Sequence, residues 1–162
     1  MRRIYIDVDG VLANLELRLI NTYGAEYKEM SANKLWTTIR DNEKYFFYTL
    51  PAFAGAKKFV HTILEKYSKN NYVSILTALP FPTGYLITAD ADKRAWIRDF
   101  IHPAIPVHTI IGGVNKSEYI NKKGDILIDD TEKVLYNWRI KGGTAIHHTS
   151  FEETLKTLET LL

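Results

Sequence analysis

Five short runs rich in β-branched and aliphatic residues alternate with stretches whose apolar residues recur at helical spacing, and this restricts the chain to α/β architectures. Ile4-Tyr5-Ile6 comes first and runs into Asp7-Val8-Asp9-Gly10. Tyr72-Val73-Ser74-Ile75-Leu76 ends at Thr77, residues 107–111 follow Pro106, Ile126-Leu127-Ile128 ends in Asp129-Asp130, and Thr144-Ala145-Ile146 leads to His147-His148. Helical spacing appears in Phe59-Val60-Ile63-Leu64, in Trp96-Ile97-Phe100 within 93–101 and facing the core, across 134–140, and after Ser150 as a cap. The first gap is longer. Residues 14–47 carry the spacing at Leu15-Leu19-Ile20 and again at Trp36-Ile39, with Ser31 and Asp41 as expected caps. Leu79-Pro80-Phe81-Pro82-Thr83-Gly84 is expected to be a loop from its proline and glycine content. The pattern predicts a Rossmann-like parallel sheet with helices on both faces. It also predicts one domain over 1–162, with a small helical cap inserted after the first strand at about 14–50.

Composition bounds what such a fold does. A 46% hydrophobic content over 162 residues suffices for a sizeable core. Twenty-one lysines and arginines against nineteen acids give a net charge of +2, too balanced for electrostatic binding to nucleic acid, so no such partner is expected. Without cysteine there is no disulfide, thiolate nucleophile or cysteine metal site. No apolar run reaches the ~18 residues of a membrane span, and no secretory signal follows Met1-Arg2-Arg3. A cytoplasmic protein without a membrane partner is therefore expected.

In an open parallel sheet the ligand site lies at the carboxyl ends of the strands, where Asp7, Asp9, Thr77, Asp129 and Asp130 all fall. Asp7 and Asp9 would repel one another without a cation. With Asp129 and Asp130 ending another strand, three or four carboxylates converge, and an all-oxygen set suits Mg²⁺ better than zinc, with phosphate as the natural co-ligand. Turns favour Asp and Gly, so an Asp-x-Asp-Gly alone is more often structural than functional. An EF-hand is excluded because Gly10 is fourth and Arg18 twelfth from Asp7, where that loop needs glycine sixth and glutamate twelfth. The Thr77 hydroxyl and neighbouring N–H groups are a candidate hold for phosphoryl oxygens, although threonine at a strand end is ordinarily β-prone filler. Lys116 lies in Gly112-Gly113-Val114-Asn115-Lys116-Ser117, which is no Walker motif because Asn115 replaces glycine. It matters only if its charge points in among the carboxylates. His61, His102 and His108 lack ligand spacing, and His147-His148 reads as loop.

The order Asp7-Val8-Asp9-Gly10, Thr77, Lys116, then Gly124-Asp125-Ile126-Leu127-Ile128-Asp129-Asp130 resembles the haloacid dehalogenase superfamily. More narrowly, Asp7-Val8-Asp9-Gly10-Val11-Leu12-Ala13, Tyr45-Phe46-Phe47 before Gly55-Ala56, and Ile126-Leu127-Ile128-Asp129-Asp130 look like the 5′(3′)-deoxyribonucleotidase family, from Ile4 to about Trp138. The resemblance implies a Mg²⁺-dependent phosphatase in which Asp7 attacks phosphorus and Asp9 serves as general acid and then base. It implies that Thr77, Ala78 and Lys116 bind the phosphoryl group. Mg²⁺ would be held by Asp7, the Asp9 carbonyl and Asp130, with Asp129 in the outer shell. By position, Trp36 and Phe47 correspond to aromatic residues that face a nucleobase, against the alternative that each packs the insert's own core. Thr131 departs from the arginine of mammalian members, and Phe81 falls near a phosphate-contacting lysine. Lys116 stands farther from the Asp pair than in those members, which leaves Lys122 and Lys123 as alternatives. The implied partner is a small phosphomonoester, with a nucleoside monophosphate first, a sugar phosphate or other metabolite second, and a homodimer left open. A catalytically silent phosphate-binding module and a polynucleotide 3′-phosphatase rank below these.

Overall fold

A computed structural model describes residues 1–81 and 86–162. The β-prone runs become β1 (Arg3–Ile6), β2 (Tyr72–Leu79), β3 (Val107–Ile111), β4 (Ile126–Asp129) and β5 (Thr144–His147). They pair in parallel throughout, in the order β3-β2-β1-β4-β5. Around the sheet lie α1 (Leu15–Tyr23), α2 (Ala32–Asn42), α3 (Ala56–Tyr67), α4 (Ala89–Trp96), α5 (Glu132–Ile140) and α6 (Phe151–Leu161). The α/β fold with helices on both faces is the one the sequence predicts.

Successive strand residues point to opposite faces. Ile4, Ile6, Val73, Ile75, Ile126 and Ile128 join one buried cluster with Phe59, Val60 and Ile63 of α3, Trp96 of α4 and Leu158 of α6. Tyr5, Leu76 and Leu127 form the other, with Val134, Leu135 and Trp138 of α5. Burial on both faces explains why the strands read as nearly continuous apolar runs. From β1 the chain winds outward through β2 to β3, then returns to β4 on the other side of β1 and continues to β5. The reversal falls between β1 and β4, where crevices form at the strands' carboxyl ends.

Between β1 and α3 the chain leaves the sheet for α1, a 3₁₀ turn at Ala25–Glu29, α2 and a second 3₁₀ turn at Phe46–Thr49. Departure and return run side by side. Ala13 bridges Ala52, Asn14 N–H donates to Pro51 O at 2.7 Å, and Phe53 N–H donates to Leu12 O at 2.9 Å. Leu19, Ile39, Phe46 and Phe47 belong to the same buried cluster as Ile4 and Ile6, so the insert's core is continuous with that of the sheet.

Four sequence expectations need correction. Asp41 lies inside α2, and the caps are Ser31, which accepts from Lys34 N–H, and Asn14, which accepts from Leu17 N–H. β2 continues to Leu79, so Thr77 sits within the strand. α4 begins at Ala89 rather than at Lys93, because Asp90 and Asp92 populate its first turn. Phe100 is 45% exposed while Ile101 is buried, since a π turn over Ile97–Ile101 inserts a residue and rotates the apolar stripe. Of the expected loop after β2, residues 82–84 lie outside the described residues. Among those described, no helix is long and apolar enough to cross a membrane.

Candidate active site

Asp7 follows β1 directly, and its N–H extends the β1–β4 pairing by donating to Ile128 O at 3.0 Å. The chain then turns tightly, with Val8 O accepting from the N–H groups of Leu12 and Ala13, each at 2.8 Å. Gly10 makes this turn at φ +79°, in the left-handed region. A second demand falls on the same glycine. A Cβ built there would collide with the Asp130 carboxylate, whose Oδ1 would lie 2.8 Å away. The first and last acidic motifs therefore meet at a position where any side chain would displace the Asp130 carboxylate.

Lys116, in a 3₁₀ segment over Gly113–Tyr119, is 2% exposed. Its Nζ lies 2.7 Å from Asp7 Oδ1 and 2.6 Å from Asp129 Oδ2. Burial alone would lower the ammonium pKa, but the charges of Asp7 and Asp129 outweigh it and raise it. Lys122 and Lys123 are exposed, and Lys122 N–H donates to Asp125, which also receives Arg3 N–H at the strands' starting end. Of these three lysines, Lys116 is the one that this fold brings to Asp7 and Asp129. Asp129 is fully buried, with Oδ1 accepting from Thr131 N–H at 2.9 Å and Oδ2 from Lys116. Burial, followed by the charge of Asp7, pushes its carboxyl pKa up. Asp130 is exposed and shifted upward by the same two causes.

Carboxylate oxygens of Asp7, Asp129 and Asp130 lie within 4.8 Å of one another. With Asp9 nearby, four carboxylates face two ammonium groups, an excess of negative charge that a divalent cation would offset. The donors are all oxygen, which fits the hard-ion preference of Mg²⁺.

The second ammonium belongs to Lys93, a residue that the sequence reading placed only at a helix start. Lys93 is 1% exposed, donates to Asp9 Oδ2 and to Thr77 Oγ1 (3.0 Å), and holds Nζ 4.3 Å from the centroid of the Phe47 ring. A signal was present. Ala89, Lys93, Trp96 and Ile97 fall on one buried helical stripe, and a lysine in such a stripe needs a buried partner. The other carboxylate oxygen of Asp9, Oδ1, is buried without a hydrogen-bond partner among the described residues. Burial dominates in pushing the Asp9 pKa up, Lys93 opposes it, and Asp7 adds to it. Asp7 and Asp9, two positions apart, are therefore held by different lysines, with Asp9 biased toward the acid form.

A cavity of about 600 Å³ opens on this cluster. Asp7, Asp9, Asp129, Asp130, Lys116 and Ala78 line its floor, and Leu15, Leu19, Tyr27, Leu35 and Trp36 from the insert line its wall. Thr77 and Phe47 are placed differently from their expected substrate contacts. Thr77 is fully buried and reaches the cluster through Lys93. Phe47 is 1% exposed and packs its ring 5.9 Å from that of Trp36, away from the cavity wall.

No family model and no curated protein sequence matches the chain. Solved structures do. One is described as a haloacid dehalogenase-like hydrolase from Burkholderia xenovorans LB400, with 12% identity, TM-score 0.49, and coverage of 95% of this chain and 85% of that one. Another is an inactive mutant of the HAD domain of effector protein Lem4 from Legionella pneumophila, with 13% identity, TM-score 0.44, and coverage of 98% and 93%.

Proposed function

We propose that the chain is a Mg²⁺-dependent phosphomonoesterase that passes the phosphoryl group through Asp7 and acts first on nucleoside monophosphates. One observation carries the proposal. Asp7 and Asp9 face the same cavity but sit in different electrostatic settings, Asp7 against Lys116 and the partly buried Asp9 against Lys93, with one Asp9 oxygen unpartnered among the described residues. Two carboxyl groups paired with different lysines in this way divide naturally into nucleophile and acid.

In the first step an Asp7 carboxylate oxygen attacks phosphorus and the ester P–O bond breaks. Asp9 gives its proton to the departing alcohol oxygen. In the second step Asp9, now ionised, takes a proton from water. The hydroxide attacks phosphorus, and the P–O bond to Asp7 breaks, regenerating the carboxylate and releasing phosphate. Lys116 fixes the direction of Asp7, and Lys93 fixes that of Asp9. Ala78 offers backbone to the phosphoryl oxygens, with Thr77 behind it anchoring Lys93. Asp7, Asp130 and the Asp9 carbonyl would hold Mg²⁺, with Asp129 supporting from Lys116, and the ion would offset charge on the transferring group. Asp130 suits direct ligation better than Asp129, whose two oxygens are already occupied by Thr131 N–H and Lys116.

Trp36 on the cavity wall favours a substrate whose departing alcohol carries an aromatic base, since base stacking contributes roughly 1–3 kcal/mol. The volume falls within the ~300–1,000 Å³ range of small-molecule sites. The test is phosphate release from deoxynucleoside monophosphates, sugar phosphates and a 3′-phosphorylated oligonucleotide, with Mg²⁺ or EDTA, for wild type and Asp7→Asn. Release that needs Mg²⁺, is selective for nucleotides and is lost in Asp7→Asn supports the proposal. Release from sugar phosphates alone would move the substrate class, and no release from any substrate would favour a silent phosphate-binding module.

A further inference from the structure

Helix α4 directs three buried side chains, Asp92, Lys93 and Trp96, at the place where the insert returns to the sheet. Trp96 Nε1 donates to Leu50 O at 2.8 Å. Lys93 lies over the Phe47 ring while donating to Asp9 and Thr77. Asp92, 5% exposed, accepts from Thr88 Oγ1 at 3.0 Å, and where α4 packs on the Phe46–Thr49 turn its carboxylate faces the backbone of Phe47, which favours the charged form against the effect of burial. The Thr88 bond is a side-chain contact four residues apart within the helix's own first turn, whereas the approach to Phe47 crosses to the insert. An ammonium has three donors. Two are spent on Asp9 and Thr77, and the aromatic face beneath Nζ accommodates the remaining charge. The same Phe47 ring packs against Trp36, which lines the cavity.

We propose that Asp92 and Phe47 are positioning residues: Asp92 fixes the backbone of Phe47, the Phe47 ring holds the Lys93 ammonium against Asp9, and the substrate-facing Trp36 is thereby mechanically linked to the aim of the proton-donating carboxyl. The proposal rests on the phosphomonoesterase reading for its catalytic consequence, whereas the contact chain itself is independent of any substrate.

The experiment compares wild type with Phe47→Leu, Asp92→Ala and the conservative Asp92→Asn, which keeps an acceptor facing the Phe47 backbone. Steady-state kcat and KM are measured for p-nitrophenyl phosphate, whose leaving group departs with little proton donation, and for an alkyl phosphomonoester such as a nucleoside 5′-monophosphate. Phe47→Leu and Asp92→Ala should lower kcat for the alkyl ester at least about tenfold more than for the aryl ester, within the ~10²–10⁴-fold that acid catalysis contributes, with Asp92→Asn restoring most of it. Equal losses on both esters, or a change in KM alone, would overturn the proposal. In parallel, lysine acetylation by acetic anhydride is read by mass spectrometry on the folded proteins. Lys93 should become labelled in Phe47→Leu and Asp92→Ala while the equally buried Lys116 stays protected. Labelling of both, or of neither, refutes the contact chain. Wild type inactive on both esters with selective Lys93 labelling would sink the phosphomonoesterase reading and leave the positioning contacts standing.

Discussion

Replacing Gly10 by alanine perturbs two things at once, and the structure separates them. The backbone cost comes from φ +79°, where an L-residue loses about 1–2 kcal/mol. For a chain of 162 residues, with about 2–4 °C per kcal/mol, this alone lowers Tm by roughly 2–8 °C. The steric cost falls on Asp130, whose carboxylate occupies the space a Cβ needs. Asp130 must rotate away, taking an oxygen out of the group it forms with Asp7 and Asp129. Mg²⁺ affinity should then fall by at least the ~10–100-fold seen when even outer-shell partners of a metal are altered. Calorimetric titration of Mg²⁺ into wild type, Gly10→Ala, Asp130→Ala and the double variant tests the route. If Gly10 acts through Asp130, the double variant binds Mg²⁺ no more weakly than Asp130→Ala, and the losses are strongly non-additive. Additive losses, or wild-type affinity in Gly10→Ala, would refute the reasoning.

Lys116→Met leaves Asp7 and Asp129 buried without their counter-charge and should cost about 3–5 kcal/mol in urea denaturation at neutral pH, part of it recovered by adding Asp129→Asn. Trp36→Ala should raise KM for a nucleoside monophosphate by roughly tenfold or more while leaving that for a small alkyl phosphate nearly unchanged, and equal effects on both would show that Trp36 only packs the insert. His148 is held below its usual pKa chiefly by burial, with His147 adding to it. Its proton is therefore bound more tightly by the unfolded chain, so its stabilising contribution is present above the ordinary histidine pKa and is lost as pH falls through the depressed one. The drop in Tm from about pH 7.5 to about pH 5.5 should be smaller in His148→Gln than in wild type.

The strands were legible because burial on both faces forces apolar runs such as Ile4-Tyr5-Ile6 and Ile126-Leu127-Ile128, and their polar ends marked one edge of the sheet. Lys116 could be weighed only through neighbours in sequence, yet its role depends on the 3₁₀ segment that drives it between two strands. Lys93 and Asp92 escaped notice for the opposite reason. In a one-dimensional pattern a Lys-Asp pair at a helix start reads as solvated, and only the packing of α4 against the Phe46–Thr49 turn turns it inward. Phe47 was legible as an aromatic near the site, but whether it faces the cavity or supports Trp36 is decided by ring geometry that spacing does not carry.

The shared core of insert and sheet also constrains how the site is entered. A lid that hinged away as a separate body would strip Ile39, Phe46 and Phe47 from the cluster that contains Ile4 and Ile6, at about 1.5–3 kcal/mol for each side chain exposed to water. Wide opening is therefore a rare excursion, and traffic runs through the cavity mouth while the insert stays seated. On the proposed reading, a small phosphomonoester reaches Asp7 through that opening without unseating the insert.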